Sequence, residues 1–175
     1  MSILRVTAKS TWFLLSLAGF GLSLVVHTTA FFGISVTDRL PITMILHLGM
    51  FVVVLPLLLV VSSRKRTKSG QGRWGELFQR HPPWVLGLLY ALLAYAVVNF
   101  AVGFLSSRGG VPTIVDGQPV VESHGQVVRQ LSPEEYERHQ ALETRAFSAL
   151  WLFFYGIPLL YLGFGRREKK PETAA

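Results

Sequence analysis

Cysteine is absent from the 175-residue chain, which excludes a disulfide framework, a thiolate metal site and a cysteine nucleophile. Charge is scarce as well. Asp, Glu, Lys and Arg together make up 15% of the residues, well below the usual quarter. Half of the chain is apolar, and the apolar residues are gathered into blocks. That combination excludes a disordered polymer and argues against an ordinary soluble domain. Catalytic signatures are missing too: there is no Gly-x-Ser-x-Gly, no His-Glu-x-x-His and no phosphate-binding loop.

What the chain does have is length of uninterrupted apolar sequence. A bilayer core takes about 20 residues of apolar helix at ~1.5 Å rise each. Four segments qualify: Thr11–Gly33, Pro41–Val61, Trp84–Leu105 and Ala146–Gly165, none of which contains Asp, Glu, Lys or Arg. As buried helices of a soluble core they would leave too little polar chain to cover them. They predict an all-α membrane protein, a four-transmembrane-helix bundle forming a single domain over residues 1–175. Thr28-Thr29-Ala30 loosely resembles a signal-peptidase site. The apolar run continues through Phe31 and Phe32, however, and is longer than a signal sequence needs.

Positive charge marks the cytoplasmic side of a membrane protein. The N-terminal residues, the 62–83 loop and the C-terminal tail hold 12 of the 17 basic residues against three acids. The remaining loops hold five basic residues against seven acids. Both termini are therefore expected in the cytoplasm, and the 106–145 loop outside. The formal charge of +7 is then a topology signal. No nucleic-acid-binding motif accompanies it, so no nucleic-acid partner is expected. In the 62–83 loop, Arg64, Lys65, Arg66 and Lys68 follow a span directly, and Trp74 shares one helical face with Leu77 and Phe78. Such a segment suits anionic headgroups at the lipid interface.

The 106–145 loop is rich in punctuation. Thr113-Ile114-Val115 and Val120-Val121 flank Asp116-Gly117, a favoured hairpin turn pair. Pro119 is expected at a sheet edge, since it cannot donate to a ladder. Ser123-His124-Gly125 reads as a second turn and Gln126–Leu131 as a third strand. Ser132-Pro133-Glu134-Glu135 is a helix start, with a capping serine, proline at the first helical position and a capping-box glutamate. No helix breaker follows until Gly156, so one helix is expected from Pro133 into the fourth span. Tyr136, His139, Gln140 and Glu143 share one polar face of it. The whole loop is expected to form a small extracytoplasmic β-hairpin and helix cap between the third and fourth spans.

The motifs Gly109-Gly110-Val111-Pro112, Asp116-Gly117, His124-Gly125-Gln126, Leu131-Ser132-Pro133-Glu134-Glu135-Tyr136 and Arg145-Ala146-Phe147-Ser148 resemble a family of small, uncharacterised bacterial four-span membrane proteins. The resemblance covers residues 109–148. It implies a bacterial inner (cytoplasmic) membrane setting and a role for this loop, and carries no activity with it.

Inside the spans, His27, His47 and Asn99 are the outstanding polar residues. Each lies six residues, ~9 Å, from the outer end of its span. His27 and His47 are placed to face each other across an antiparallel pair. A stripe of Ser16, Gly19, Ser23, His27 and Ala30 allows close helix approach. Interhelical hydrogen bonding competes with three sharper uses of these groups. One is a bis-imidazole haem b site at His27 and His47. The second is a metal or proton path, for which the spans lack an acid. The third is a lipid or quinone headgroup. In the cap, His124 and His139 have Glu122, Glu135 and Glu143 near them in sequence, but no spacing forces a metal site. No metal and no cofactor is expected. The expected function is that of a non-enzymatic accessory, sensor or partner-binding subunit, with His124, Arg129, Tyr136 and His139 as cap contacts. The alternative is a redox or ion-handling protein built on His27 and His47.

Overall fold

A computed structural model describes residues 2–35, 41–63, 81–106 and 109–165. Among them are four long helices and one small sheet: α1 (Ser2–Phe31), α2 (Ile42–Ser63), α3 (Pro83–Ser106), β1 (Val111–Val115), β2 (Gln118–Ser123), β3 (Gln126–Gln130) and α4 (Pro133–Phe164). Each of the four helices is long and apolar enough to cross a membrane. Their outward faces carry leucine, valine and phenylalanine side chains that remain exposed, among them Leu14, Leu59, Val98 and Phe104. The expected interface residues Arg64, Lys65, Arg66, Lys68 and Trp74 lie outside the described residues.

The helices are not equivalent. α4 packs along both α1 and α3, touches α2, and also meets β1 and β2. Its buried residues include Ala146, Ser148, Ala149, Trp151, Leu152 and Tyr155, so small side chains alternate with two large aromatic ones. On α1 the face turned inward is the small-residue stripe, with Ser16 and Ser23 fully buried and His27 and Ala30 nearly so. The two serines do not bond across helices as polar residues in spans often do. Ser16 Oγ donates to the Trp12 carbonyl at 2.6 Å and Ser23 Oγ to the Gly19 carbonyl at 2.7 Å, each within its own helix. They serve as small residues.

Close approach is most pronounced around Tyr155. Its ring sits over Gly19 of α1, where a Cβ would overlap ring carbons, and its hydroxyl sits over Gly49 of α2. The hydroxyl donates to the Leu46 carbonyl at 3.0 Å. The main apolar cluster, Val26, Leu46, Met50, Val53, Trp151 and Tyr155, surrounds this junction. A second cluster of Val85, Leu89 and Leu160 joins α3 to α4. At the opposite end from the sheet, His81 Nε2 donates to the Tyr161 carbonyl at 3.1 Å, and the Trp84 and Phe164 rings meet at 4.7 Å.

The loop between α3 and α4 folds as a three-stranded antiparallel meander, β1-β2-β3. Asp116 and Gly117 have φ of 51° and 78°, and His124 and Gly125 have φ of 53° and 79°. Positive φ at both central residues is what a tight hairpin with the right-handed strand twist requires. Pro119 is not at a sheet edge. It lies in β2, the middle strand, paired with Ile114. The Pro119 carbonyl accepts from Leu131 N at 2.8 Å, just past the end of β3. In an antiparallel strand one residue's N and C=O point to the same side. The missing N–H of Pro119 therefore faces the side where β3 has run out, and the β1–β2 ladder loses no bond.

The start of α4 is a complete capping box. Ser132 accepts from Glu135 N at 3.2 Å, and Glu135 Oε2 accepts from Ser132 N at 2.9 Å. The other carboxylate oxygen accepts from Arg129 Nη1 at 2.9 Å, which ties the end of β3 to the first turn of α4. From there α4 runs 32 residues without interruption, through Gly156 and Pro158.

Candidate functional site

The polar groups of the helices gather at the end that carries the sheet. His27 of α1 is the hub. Its Nδ1 lies 2.8 Å from Ser148 Oγ of α4, and its Nε2 lies 2.5 Å from the Tyr95 hydroxyl of α3. Ser148 Oγ in turn donates to the Arg145 carbonyl at 3.2 Å. A carbonyl only accepts and a hydroxyl has one proton. The hydroxyl proton of Ser148 is thus committed, and His27 must donate from Nδ1. Nε2 then accepts from Tyr95. The partners assign one neutral tautomer and one direction to the chain Tyr95 → His27 → Ser148 → Arg145 C=O.

Arg145 completes the cluster. Its Nε donates to Asn99 Oδ1 of α3 at 2.6 Å, and its guanidinium carbon lies 5.1 Å from the centre of the Phe31 ring of α1. Asn99 Nδ2 returns to its own helix, donating to the Tyr95 carbonyl at 2.8 Å. The three helices α1, α3 and α4 are therefore pinned together by five side chains at one level. Interhelical bonds of this kind are worth only ~0.6 kcal/mol each on average, so they set register and rotation more than stability.

His47 takes no part in this cluster. Its Nδ1 accepts from Trp151 Nε1 at 3.2 Å, and its ring lies edge-on to Trp151 and Phe147 at 6.1 and 5.9 Å. The two histidines expected to face each other are engaged separately, on Ser148 and on Trp151, three residues apart along α4. Axial ligation of a haem iron needs an open ring nitrogen, and both nitrogens of His27 are occupied by side-chain hydroxyls. Among the described residues, no group of three or more His, Asp or Glu is arranged to hold a metal ion.

The cap residues divide by role. Arg129 pairs with Glu135, and Tyr136 accepts from Gln140 Nε2 at 2.7 Å, so both hold the cap together. His139 is half-buried on α4, and His124 stands exposed at the second turn. Around it, every residue of β3 is exposed. The Ser132 backbone N–H, above all, holds the Glu135 carboxyl below the ordinary carboxylate value, helped by Arg129.

Two groups escape a reading of the apolar runs alone. Arg145 stands one residue before the apolar part of α4 and is easily taken for the edge of a loop. Its position three residues before Ser148 is the signal that it can turn inward. Glu143, also just ahead of the apolar part, is half-buried, and that burial pushes its carboxyl above the ordinary carboxylate value. No protein-family model matches the chain, nor does any curated protein or solved structure.

Proposed function

We propose that this protein is a non-enzymatic, multi-pass protein of a bacterial inner membrane that uses its sheet as a docking surface for an extended segment of another protein. The four apolar helices and the charge bias set the frame: both termini cytoplasmic, the sheet outside. In this reading the chain belongs with the small four-span membrane proteins that residues 109–148 resemble. The observation that carries the docking reading is the state of β3. It is an edge strand, all five of its residues are exposed, and Val127 and Val128 are more than half exposed. Val127 and Val111 flank Glu122 in one cross-strand row, so on that row a carboxylate stands between two apolar side chains.

Natural proteins usually blunt such an edge with charge, proline or a covering element. Here Arg129 puts one charge on β3, paired with Glu135, and a bulge lies between Val121 and Glu122, but no described element covers the edge. An edge of this kind takes an added strand through its free backbone groups, with the alternating side chains supplying selectivity. The polar cluster and the capping box serve this function indirectly. They fix the sheet on a helix that contacts every other helix.

The test places a photo-crosslinking residue at Val128 and, as a control, at Leu88 on the outward face of α3, in cells. Adducts of defined mass at Val128 alone, lost when Val127→Asp is added, support the reading. The same adducts at both positions, or none at Val128 from protein that is fully membrane-inserted, refute it. Deleting Val111–Gln130 should likewise leave insertion intact and remove the adduct partner.

A further inference from the structure

A groove opens between α2 and α4 on the side away from the polar cluster. It encloses about 310 Å3 and is lined by Thr43 and His47 from α2 and by Gln140, Glu143, Phe147 and Trp151 from α4, among others. We propose that this groove is a binding site for a primary ammonium group, supplied by the headgroup of a zwitterionic aminophospholipid.

The chemistry of the lining is specific. Glu143 contributes a half-buried carboxylate on which burial alone acts, with no ion pair or hydrogen bond to it among the described residues. A half-buried carboxylate facing a groove is held by water, by a proton or by a cation from elsewhere, and the cation is favoured where the walls exclude water. Among the described residues, no basic side chain other than the imidazole of His47 lines the groove. Arg145, two residues on, points away to Asn99 and Phe31. The walls also carry the rings of Phe147 and Trp151, each edge-on to His47, with Met44 and Thr144 beside them. Aromatic walls beside a carboxylate favour an ammonium ion, which gains from both the charge and the ring quadrupoles.

The other half of the headgroup is provided for as well. Because His47 Nδ1 accepts from Trp151, the neutral ring carries its proton on Nε2 and is a donor. Thr43 adds a hydroxyl, and Gln140 keeps one amide N–H beyond the bond it gives to Tyr136. Those donors suit phosphate oxygens. The groove lies level with the first turns of α2 and straddles the start of the apolar part of α4, from Gln140 to Trp151, so its outer half reaches headgroup depth when these helices cross a bilayer. Its volume is at the lower end for small-molecule sites, enough for a headgroup but not for acyl chains. The inference rests on the membrane placement of α2 and α4, and not on a partner for β3.

The full-length protein, purified in detergent, is tested by native mass spectrometry with phosphatidylethanolamine or phosphatidylglycerol added at equal ratios. Free ethanolamine is titrated in parallel, with Trp fluorescence as the readout. The expected result is at least fivefold preferential retention of phosphatidylethanolamine. Glu143→Gln and, separately, Phe147→Leu should each abolish that preference while leaving the phosphatidylglycerol adducts unchanged. Saturable, Glu143-dependent binding of ethanolamine without lipid preference would keep the ammonium site and overturn the lipid as its source. Equal retention of both lipids with no ethanolamine response overturns the proposal. Resistance of the same preparation's membranes to carbonate extraction tells that failure apart from a failure of membrane placement.

Discussion

Tyr155 makes two contacts that a pair of substitutions can separate. Its hydroxyl occupies the space above Gly49, and its ring carbons occupy the space above Gly19. A methyl group at position 49 would collide with the hydroxyl, while Cζ behind it stays at 3.6 Å, an ordinary contact. Gly49→Ala should therefore carry an overpacking cost of ~1–3 kcal/mol. Tyr155→Phe alone forfeits the bond to the Leu46 carbonyl, about 0.6 and at most ~1.7 kcal/mol. In the Tyr155→Phe background the obstacle is gone, so Gly49→Ala should cost nothing further there. The helix-propensity gain of alanine over glycine, ~1 kcal/mol, is the same in both backgrounds and cancels from the cycle. The expected coupling is thus ~1–3 kcal/mol, at most about a hundredfold in the unfolding constant. Gly19→Ala is the control. Its Cβ would meet ring carbons, with Cζ at 2.6 Å, and Tyr155→Phe should give it no relief. Reversible unfolding in mixed micelles, followed by circular dichroism, measures all four corners. Additive effects of Gly49→Ala and Tyr155→Phe would refute the wedge, as would relief of Gly19→Ala by the same change.

Three other outcomes follow from the geometry. Ser132→Ala removes the capping hydroxyl and should destabilise the start of α4 by ~1 kcal/mol, seen as faster hydrogen exchange over residues 134–138 with residues 150–160 unchanged. The Glu135 carboxyl titrates below its ordinary value because the Ser132 N–H and Arg129 hold the charged form, so the folded pKa is depressed. Its stabilising effect is then complete above the ordinary carboxylate range and lost as pH falls through the folded value; acid should lower the exchange protection factors, corrected for intrinsic rate, at the α4 start in the native protein and not in Glu135→Gln. Arg145→Met and Asn99→Leu should each lower stability, and the double variant should fall short of the sum by about 0.6 kcal/mol and at most ~1.7 kcal/mol, in the same micelle assay.

The elements of this fold are legible where local chemistry decides. The four uncharged runs mark the four helices because nothing else accommodates that much contiguous apolar surface. Asp116-Gly117 and Ser132-Pro133-Glu134-Glu135 name their own turn and helix start, and both are found as read. The stripe from Ser16 to Ala30 is indeed the inward face of α1. What the sequence does not carry is pairing. Symmetry about the first connection places His27 opposite His47, yet each ring is claimed by a different residue of α4. Depth in the bilayer says how far along a helix a residue lies, not which way it turns. Pro119 was expected at an edge because its missing donor argues for one. The structure meets that need by ending β3 early, which only the register reveals. Arg145 is hidden for the opposite reason: a charge beside an apolar run looks like a boundary, whereas its long side chain reaches inward to Asn99.

The continuity of α4 has a mechanical consequence. Its 32 residues form a rod of ~48 Å, fixed to the sheet at one end by the capping box and the Arg129–Glu135 pair. The polar cluster grips the rod at Arg145 and Ser148, nearer the sheet than the far end. A tilt of the sheet about that grip would move the far end of α4 the opposite way. Such a movement would reach, past Pro158, the contacts of Tyr161 with His81 and of Phe164 with Trp84, where α3 begins.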